Sequence, residues 1–279
     1  MTAHRSPSQA PLLEVTGLVA GFGPTTVLHG VDLHVGSGEL VTVLGLNGAG
    51  KSVTLKVIGG LVPAWEGRVV FDGDDVTQLG VEERVARGMA FVPQGRQLFP
   101  ELSVAENLRL GAYLPRRRDR VASDRQLREV LDRFPRLAER SDQPAGTMSG
   151  GEQAMLAVGR ALMARPKLLL VDEPSAGLAP IVAGQVIELL DQVHRDGVAV
   201  FLVEQNVPLA LRVAERAHVM QKGRVVYESD TRALDHDRVA AELGIGRLLK
   251  SSTNGSPKQA GPRRRTGPRR SRPLRARPR

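Results

Sequence analysis

Cysteine is absent from this 279-residue chain, so neither a disulfide framework nor a thiolate zinc site can form, and a reducing compartment suits it. Long apolar runs are missing too. No stretch approaches the roughly 20 residues that span a bilayer, and the opening MTAHRSPSQA has no apolar signal-peptide core. A water-soluble, cytoplasmic protein is expected. Acidic residues are missing from one place only: residues 250–279 hold 11 of the 39 Lys and Arg and none of the 30 Asp and Glu. That leaves 28 basic against 30 acidic residues elsewhere, so the formal charge of +9 belongs to the tail and not to the body. Rich in Pro, Gly, Ser and Arg, the segment 248–279 is expected to be disordered, as are residues 1–11. A solvated extension is the plainer reading of the tail, and weak contact with anionic lipid or nucleic acid is the sharper one. The tail has no aromatic side chain on which a single-stranded base could stack.

What is present is an alternation of buried strand and amphipathic helix. Residues 39–45 (ELVTVLG), 89–94 (MAFVPQ), 167–173 (KLLLVDE) and 198–205 (VAVFLVEQ) read as strands apolar on both faces. Each precedes a helical stretch, at 51–61, 103–114, 181–195 and 208–217. Strands of this kind belong to a parallel sheet covered by helices on both sides, so the fold class is α/β. The early runs 12–22, 28–35 and 67–73 alternate more and predict an antiparallel sheet beside the parallel one. Residues 101–146 are Arg-rich and helical in pattern, which predicts an inserted helical subdomain over about 95–150.

The chemistry is carried by spacing. GLNGAGKS (45–52) matches G-x-x-x-x-G-K-[ST] after a strand and opening a helix. Gly45, Gly48 and Gly50 let the backbone turn tightly around phosphate, with Asn47, Ala49 and Val53 completing the cradle. Lys51 can reach the β- and γ-phosphates, and the Ser52 hydroxyl can ligate Mg²⁺. LLLVDEP (168–174) sets Asp172 to hold the metal and Glu173 to deprotonate an attacking water. An Asp-Glu pair after a strand is, on its own, more often a helix-capping turn; downstream of a phosphate loop it completes an ATPase. In MSGGEQAMLAVGRALM (148–163), Ser149 caps a helix whose N-terminus, with Gly150 and Gly151, makes a second phosphate site.

Taken in order, GLNGAGKS, FVPQ (91–94), MSGGEQ (148–153), LLLVDEP and VEQN (203–206) resemble the ATP-binding subunits of ABC transporters over about residues 12–247. PQGRQLFPELSVAENL and DEPSAGLAP look most like the second ATP-binding subunit of branched-chain amino acid importers. The resemblance implies a P-loop NTPase core with an antiparallel β-subdomain and a helical subdomain, binding ATP and Mg²⁺. It places Phe22 against adenine, Gln94 on Mg²⁺ and the attacking water, and Ser149, Gly150 and Gly151 on the γ-phosphate held by an opposing subunit. The implied partners are a second ATP-binding subunit, head to tail, two membrane permease subunits and, indirectly, an extracytoplasmic substrate-binding protein. The implied place is the cytoplasmic face of the membrane. Urea, short amides or lipid are alternative cargoes, and a soluble ATPase acting on nucleic acid or ribosomes through the tail is a rival of a different class.

Two positions depart from the common pattern. Ala179 stands where many members have an acid, and Gln205 stands where most have a histidine that bridges the γ-phosphate and the other subunit. A carboxamide can donate to phosphate but cannot take up a proton, so a hydrogen-bond sensor is expected there. All three polar side chains of Glu204-Gln205-Asn206 are expected to face the γ-phosphate.

Overall fold

The computed structural model describes residues 10–113 and 120–244. The expectations for residues 1–9 and for the tail from 248 lie outside them.

Four strands, β1 (Leu13–Phe22), β2 (Thr25–Val35), β4 (Glu66–Phe71) and β5 (Asp74–Asp75), form an antiparallel sheet in the order β2-β1-β4-β5. The second sheet contains β3 (Leu40–Leu44), β6 (Met89–Val92), β7 (Leu168–Asp172), β8 (Ala199–Glu204), β9 (Arg216–Gln221) and β10 (Arg224–Asp230). Its order is β10-β9-β3-β8-β7-β6, parallel throughout except for the β9–β10 edge pair.

Every residue of β3, β7 and β8 is buried, because both faces are covered. Alternate side chains supply two different cores. Leu168, Leu170, Phe201, Val41 and Val43 face the antiparallel sheet and helix α1 (Lys51–Ile58). Leu169, Val171, Val200 and Leu202 face α6 (Gly150–Leu162), α7 (Pro180–Arg195) and α8 (Val207–Leu211). A buried leucine of this kind contributes about 2 kcal/mol by area, and a one-residue register slip would exchange the two cores.

α1 is anchored at its C-terminal end by a buried cation. Arg84, on α2 (Val81–Arg87), donates to the carbonyls of Val57 (2.7 Å), Ile58 (2.6 Å), Leu79 (2.9 Å) and Thr77 (2.9 Å). Four carbonyls satisfy one guanidinium where the helix has run out of internal donors. The helical subdomain holds α3 (Val104–Leu110), α4 (Arg120–Arg133) and α5 (Pro135–Ala138), packed on α6. Buried Asn107 pins its entry loop, accepting from Phe99 N and donating to the carbonyls of Phe99, Leu102 and Ser103.

The helix expected at 208–217 is cut short. α8 ends at Leu211, and the chain then makes the hairpin β9–β10, followed by α9 (His236–Glu242). The turn residues Lys222 and Gly223 both take left-handed φ, +47° and +73°. Two consecutive positive φ values match the right-handed twist of hairpin strands, so the Lys-Gly pair between HVMQ and RVVYE carried the turn signal.

Candidate functional site

The parallel strands β3, β7 and β8 end at one edge of the sheet, and the chemistry-bearing residues follow those ends. After β3 the chain makes a tight loop with left-handed Gly48 (φ +79°) and Gly50 (φ +104°) before α1 begins. A Cβ on Gly45 would lie 2.7 Å from the Met220 carbonyl, so a side chain there would push the loop off β9. The loop is also held from outside. Gly223 N donates to Ala49 O (2.9 Å), and Gly223 O accepts from His29 N (2.9 Å), tying the β9–β10 turn, the loop and β2 together. A Cβ at Gly223 would fall 1.9 Å from Val27 O.

Lys51 is 4% exposed, and its ammonium donates to Gly45 O (2.9 Å) and Leu46 O (3.3 Å). It also lies 3.4 Å from Oε1 of Glu173. Ser52 Oγ donates to Oδ1 of Asp172 (2.8 Å), which is 1% exposed at the end of β7. Burial pushes the Asp172 carboxyl above its ordinary range; the Ser52 hydrogen bond opposes that shift and the neighbouring Glu173 charge adds to it. Glu173 itself has a left-handed backbone (φ +45°), fixed by its N–H donating to Val203 O (2.9 Å). A non-glycine residue in this region is strained by about 1 kcal/mol or more, and it persists where the surroundings over-determine it. Gln94 Nε2 then donates to Oε2 of Glu173 (3.0 Å). Lys51, Ser52, Asp172, Glu173 and Gln94 thus converge on a single place.

Residues 47–53, Gln94, Glu173 and Gln205 line a cleft of about 540 Å³, walled further by Val27 and Ala176. That volume is within the range of small-ligand sites. Backbone N–H groups of a Gly-rich loop, a buried ammonium and the start of α1 suit phosphate oxygens. The Ser52 hydroxyl and the Asp172 carboxylate, 2.8 Å apart, form the hard oxygen pair that Mg²⁺ prefers.

Other expected site residues stand apart from this cleft. Phe22 is 53% exposed where β1 turns into β2, and it is not one of the lining residues. Ser149, Gly150 and Gly151 sit at the N-terminus of α6, also outside the lining. There Ser149 makes a capping box: its Oγ donates to Oε2 of Glu152 (2.8 Å) and its N–H donates to the same oxygen (2.9 Å). Hydrogen bonds from Ser149 hold the Glu152 carboxyl below its ordinary range, and Arg140 pairs with it at 3.3 Å.

Of the three side chains ending β8, only Gln205 lines the cleft. This corrects the expectation that all three face one way. Asn206 Oδ1 accepts from Leu209 N (3.3 Å) as the cap of α8. Glu204, 1% exposed, turns inward and accepts from the N–H groups of Ser175 (3.1 Å), Gln205 (3.1 Å) and Asn206 (3.2 Å). At a strand end the unpaired backbone donors compete for the nearest carboxylate and carboxamide, and here they took two of the three.

Sequence reasoning also missed how Gln94 is held. Gly95, Arg96 and Gln97 are all left-handed (φ +75°, +67°, +44°), and Arg160 of α6 donates to the carbonyls of Gln97 (2.9 Å) and Arg96 (3.1 Å). Arg96 in turn donates to Oε1 of Gln153 (3.1 Å) on the same helix. The segment after Gln94 is therefore fastened to the helix that begins at Ser149. Nothing in the local pattern marks Arg160, whose partners lie more than 60 residues away.

Comparison with known proteins bears on this arrangement. Residues 28–176 match the family model described as ABC transporter. The chain is 47% identical to the high-affinity branched-chain amino acid transport ATP-binding protein BraG of Pseudomonas aeruginosa, over 76% of this chain and 90% of that one. It is 34% identical to the probable branched-chain amino acid transport ATP-binding protein LivF of Archaeoglobus fulgidus, over 81% and 96%. Among solved structures it superposes on a dimeric ATP-binding cassette in a post-hydrolysis state with ADP and phosphate. That match has a TM-score of 0.70 and 27% identity, covering 80% of this chain and all of the other.

Proposed function

This chain belongs to the ABC transporter family, and we propose that it is the ATP-hydrolysing subunit of an importer of branched-chain amino acids. The observation that carries the chemistry is Glu173, held between Lys51 (3.4 Å) and Gln94 (3.0 Å) at the rim of the phosphate cradle. The cargo rests on the 47% identity to BraG, since the ATP-binding subunit has no contact with what is transported.

In this reading residues 12–247 form the ATP-binding domain, with the helical subdomain at about 95–150. The loop 45–53 wraps the phosphates, with Lys51 on the β- and γ-oxygens, and exposed Phe22 offers its ring to adenine. Ser52, Asp172 and Gln94 would hold Mg²⁺, which would supply charge neutralisation on the phosphate oxygens. Glu173 orients the attacking water and takes its proton. Gln205 donates its NH₂ to the γ-phosphate as hydrolysis proceeds, and it carries no proton away.

The N-terminus of α6, with Ser149, Gly150 and Gly151, addresses the γ-phosphate bound by a second ATP-binding subunit arranged head to tail. Its position outside this chain's own cleft supports that assignment. The helical subdomain docks two membrane permease subunits, which couple indirectly to an extracytoplasmic substrate-binding protein. In this reading the subunit attaches at the cytoplasmic face of the membrane through those permease subunits; no helix among the described residues is long and apolar enough to cross a membrane.

The test is co-purification from membranes followed by reconstitution. ATP-dependent uptake of leucine, isoleucine or valine is expected. Recovery with RNA and without membrane subunits would overturn the proposal.

A further inference from the structure

We infer that Glu204 is a positioning residue for ATP hydrolysis: its buried carboxylate ties the loop that follows Glu173 to the turn that presents Gln205. The inference rests on the ATPase reading above.

The parallel ladder between β7 and β8 has Asp172 opposite Val203 as its last pair, with one further bond from Glu173 N to Val203 O (2.9 Å). There the ladder stops, because Glu173 turns left-handed (φ +45°) and the chain leaves the sheet. The two segments that continue, 174–176 and 205–206, carry the walls of the cleft but share no strand pairing. Glu204 takes over where the ladder ends. Its Oε1 accepts from Ser175 N (3.1 Å), and its Oε2 accepts from Gln205 N (3.1 Å) and Asn206 N (3.2 Å). One oxygen therefore serves the Glu173 side and the other serves the Gln205 side.

Only a carboxylate does both. It is an acceptor at each oxygen, whereas a carboxamide of the same shape would present an NH₂ to one of the N–H groups. Burying a charge is unfavourable unless hydrogen bonds replace its water, and at 1% exposure Glu204 has exchanged water for three backbone donors. Capping the single turn at 205–206 does not require reaching across to Ser175, 29 residues away. With the bridge in place, the loop that follows Glu173 and the turn that presents Gln205 keep one spacing across the cleft; without it, Ser175 and Gln205 move apart while Glu173 N keeps only its bond to Val203 O. Displacements near 1 Å at a reacting centre cost up to about 10²-fold in rate.

The experiment uses the assembled transporter and compares wild type, Glu204→Gln, Gln205→Ala and the double variant. In Glu204→Gln, kcat for ATP is expected to fall about 10- to 100-fold, with KM and equilibrium ATP affinity changed less than about 3-fold. In the double variant the Glu204→Gln step is expected to cost distinctly less than it does alone. A kcat within 2-fold of wild type, or losses that multiply fully in the double variant, would overturn the inference. Should Glu204→Gln not fold, amide exchange in the wild type decides: the Ser175, Gln205 and Asn206 amides are expected to exchange at least about 100-fold more slowly than open loop, and unprotected amides at these positions would overturn it. A wild type that hydrolyses no ATP would instead sink the ATPase reading, a failure separate from hydrolysis that survives Glu204→Gln.

Discussion

The two features of this chain proposed to meet phosphate are built differently. At the phosphate loop, Lys51, Ser52, Asp172, Glu173 and Gln94 bond to one another around a single cleft. At the start of α6, Ser149 bonds only to its own helix through Glu152, and its glycines stand outside that cleft. The first feature brings cation, hydroxyl and acids together within one chain, while the second is a helix N-terminus whose neighbouring carboxylate, Glu152, is taken up by its own cap. In the function proposed above, the second feature is directed at another molecule. Between them runs a mechanical link, the left-handed segment 95–97 clamped by Arg160 and Gln153 of α6. Movement of α6 against a partner would therefore be felt at Gln94, and through it at Glu173.

The largest effect should come from the self-contained half. Replacing Glu173 with Gln removes the base but keeps the shape, so turnover should drop about 10²- to 10⁴-fold while ATP affinity persists; steady-state hydrolysis alongside equilibrium binding reads both. In the outward-facing half, Ser149→Ala should cost the helix about 1 kcal/mol through its lost cap, yet leave ATP affinity of the isolated chain within about 2-fold. Hydrolysis by the assembled transporter should fall by more than that stability loss accounts for, and hydrolysis that stays within about 2-fold of wild type would erase the distinction between the halves. Gln205→Ala should slow turnover by about 10-fold, and because a carboxamide has no proton to exchange, the pH profile of kcat should keep its shape.

A smaller effect lies in the seam behind the site. His218 is fully buried on β9, with both ring nitrogens lacking hydrogen-bond partners. Burial lowers its pKa from 6.5 to about 4, against the pull of Glu228 at 3.9 Å and of Glu39, and with the push of His34 and Arg216. The folded state holds this imidazole neutral, so the unfolded chain binds the extra proton below pH 6.5. Its contribution is fully present above that pH and is lost as pH falls toward 4, by about 3 kcal/mol in all. Denaturant unfolding from pH 7 to pH 4 should show this slope, and His218→Leu should flatten it. The smallest effect has the opposite sign. α7 begins with Ala179 in extended geometry (φ −61°, ψ 147°) and no side-chain cap. Ala179→Asp should raise stability by about 0.5–1 kcal/mol, visible as a higher Tm.

Most of the first half was legible in the chain itself. A phosphate loop, two acids ending a buried strand and a glutamine ending another are local patterns, and strand ends bring them together whatever the loops do between. The parallel sheet was legible for the same reason: KLLLVDE and VAVFLVEQ can be buried only with both faces covered. What escaped were choices made across the fold. The sequence marks Glu204, Gln205 and Asn206 alike as polar, but which of them faces the cleft depends on the stranded N–H of Ser175, 29 residues away. The β9–β10 hairpin was hidden because PLALRVAERA has helical spacing as far as Ala217, while the structure starts a strand at Arg216. Parallel pairing with β3 on one side and antiparallel pairing with β10 on the other overrode that local preference. Val27 gave no signal, since it reaches the cleft from β2 of the other sheet.

We propose that the cleft is half of a working site, completed by the Ser149 end of a second ATP-binding subunit. Measuring ATP turnover per cleft while molecular mass is followed by light scattering tests it directly. Turnover should be negligible in strictly monomeric chain and should appear as paired subunits form on ATP. Hydrolysis by the monomer at the rate of the assembled transporter would contradict it.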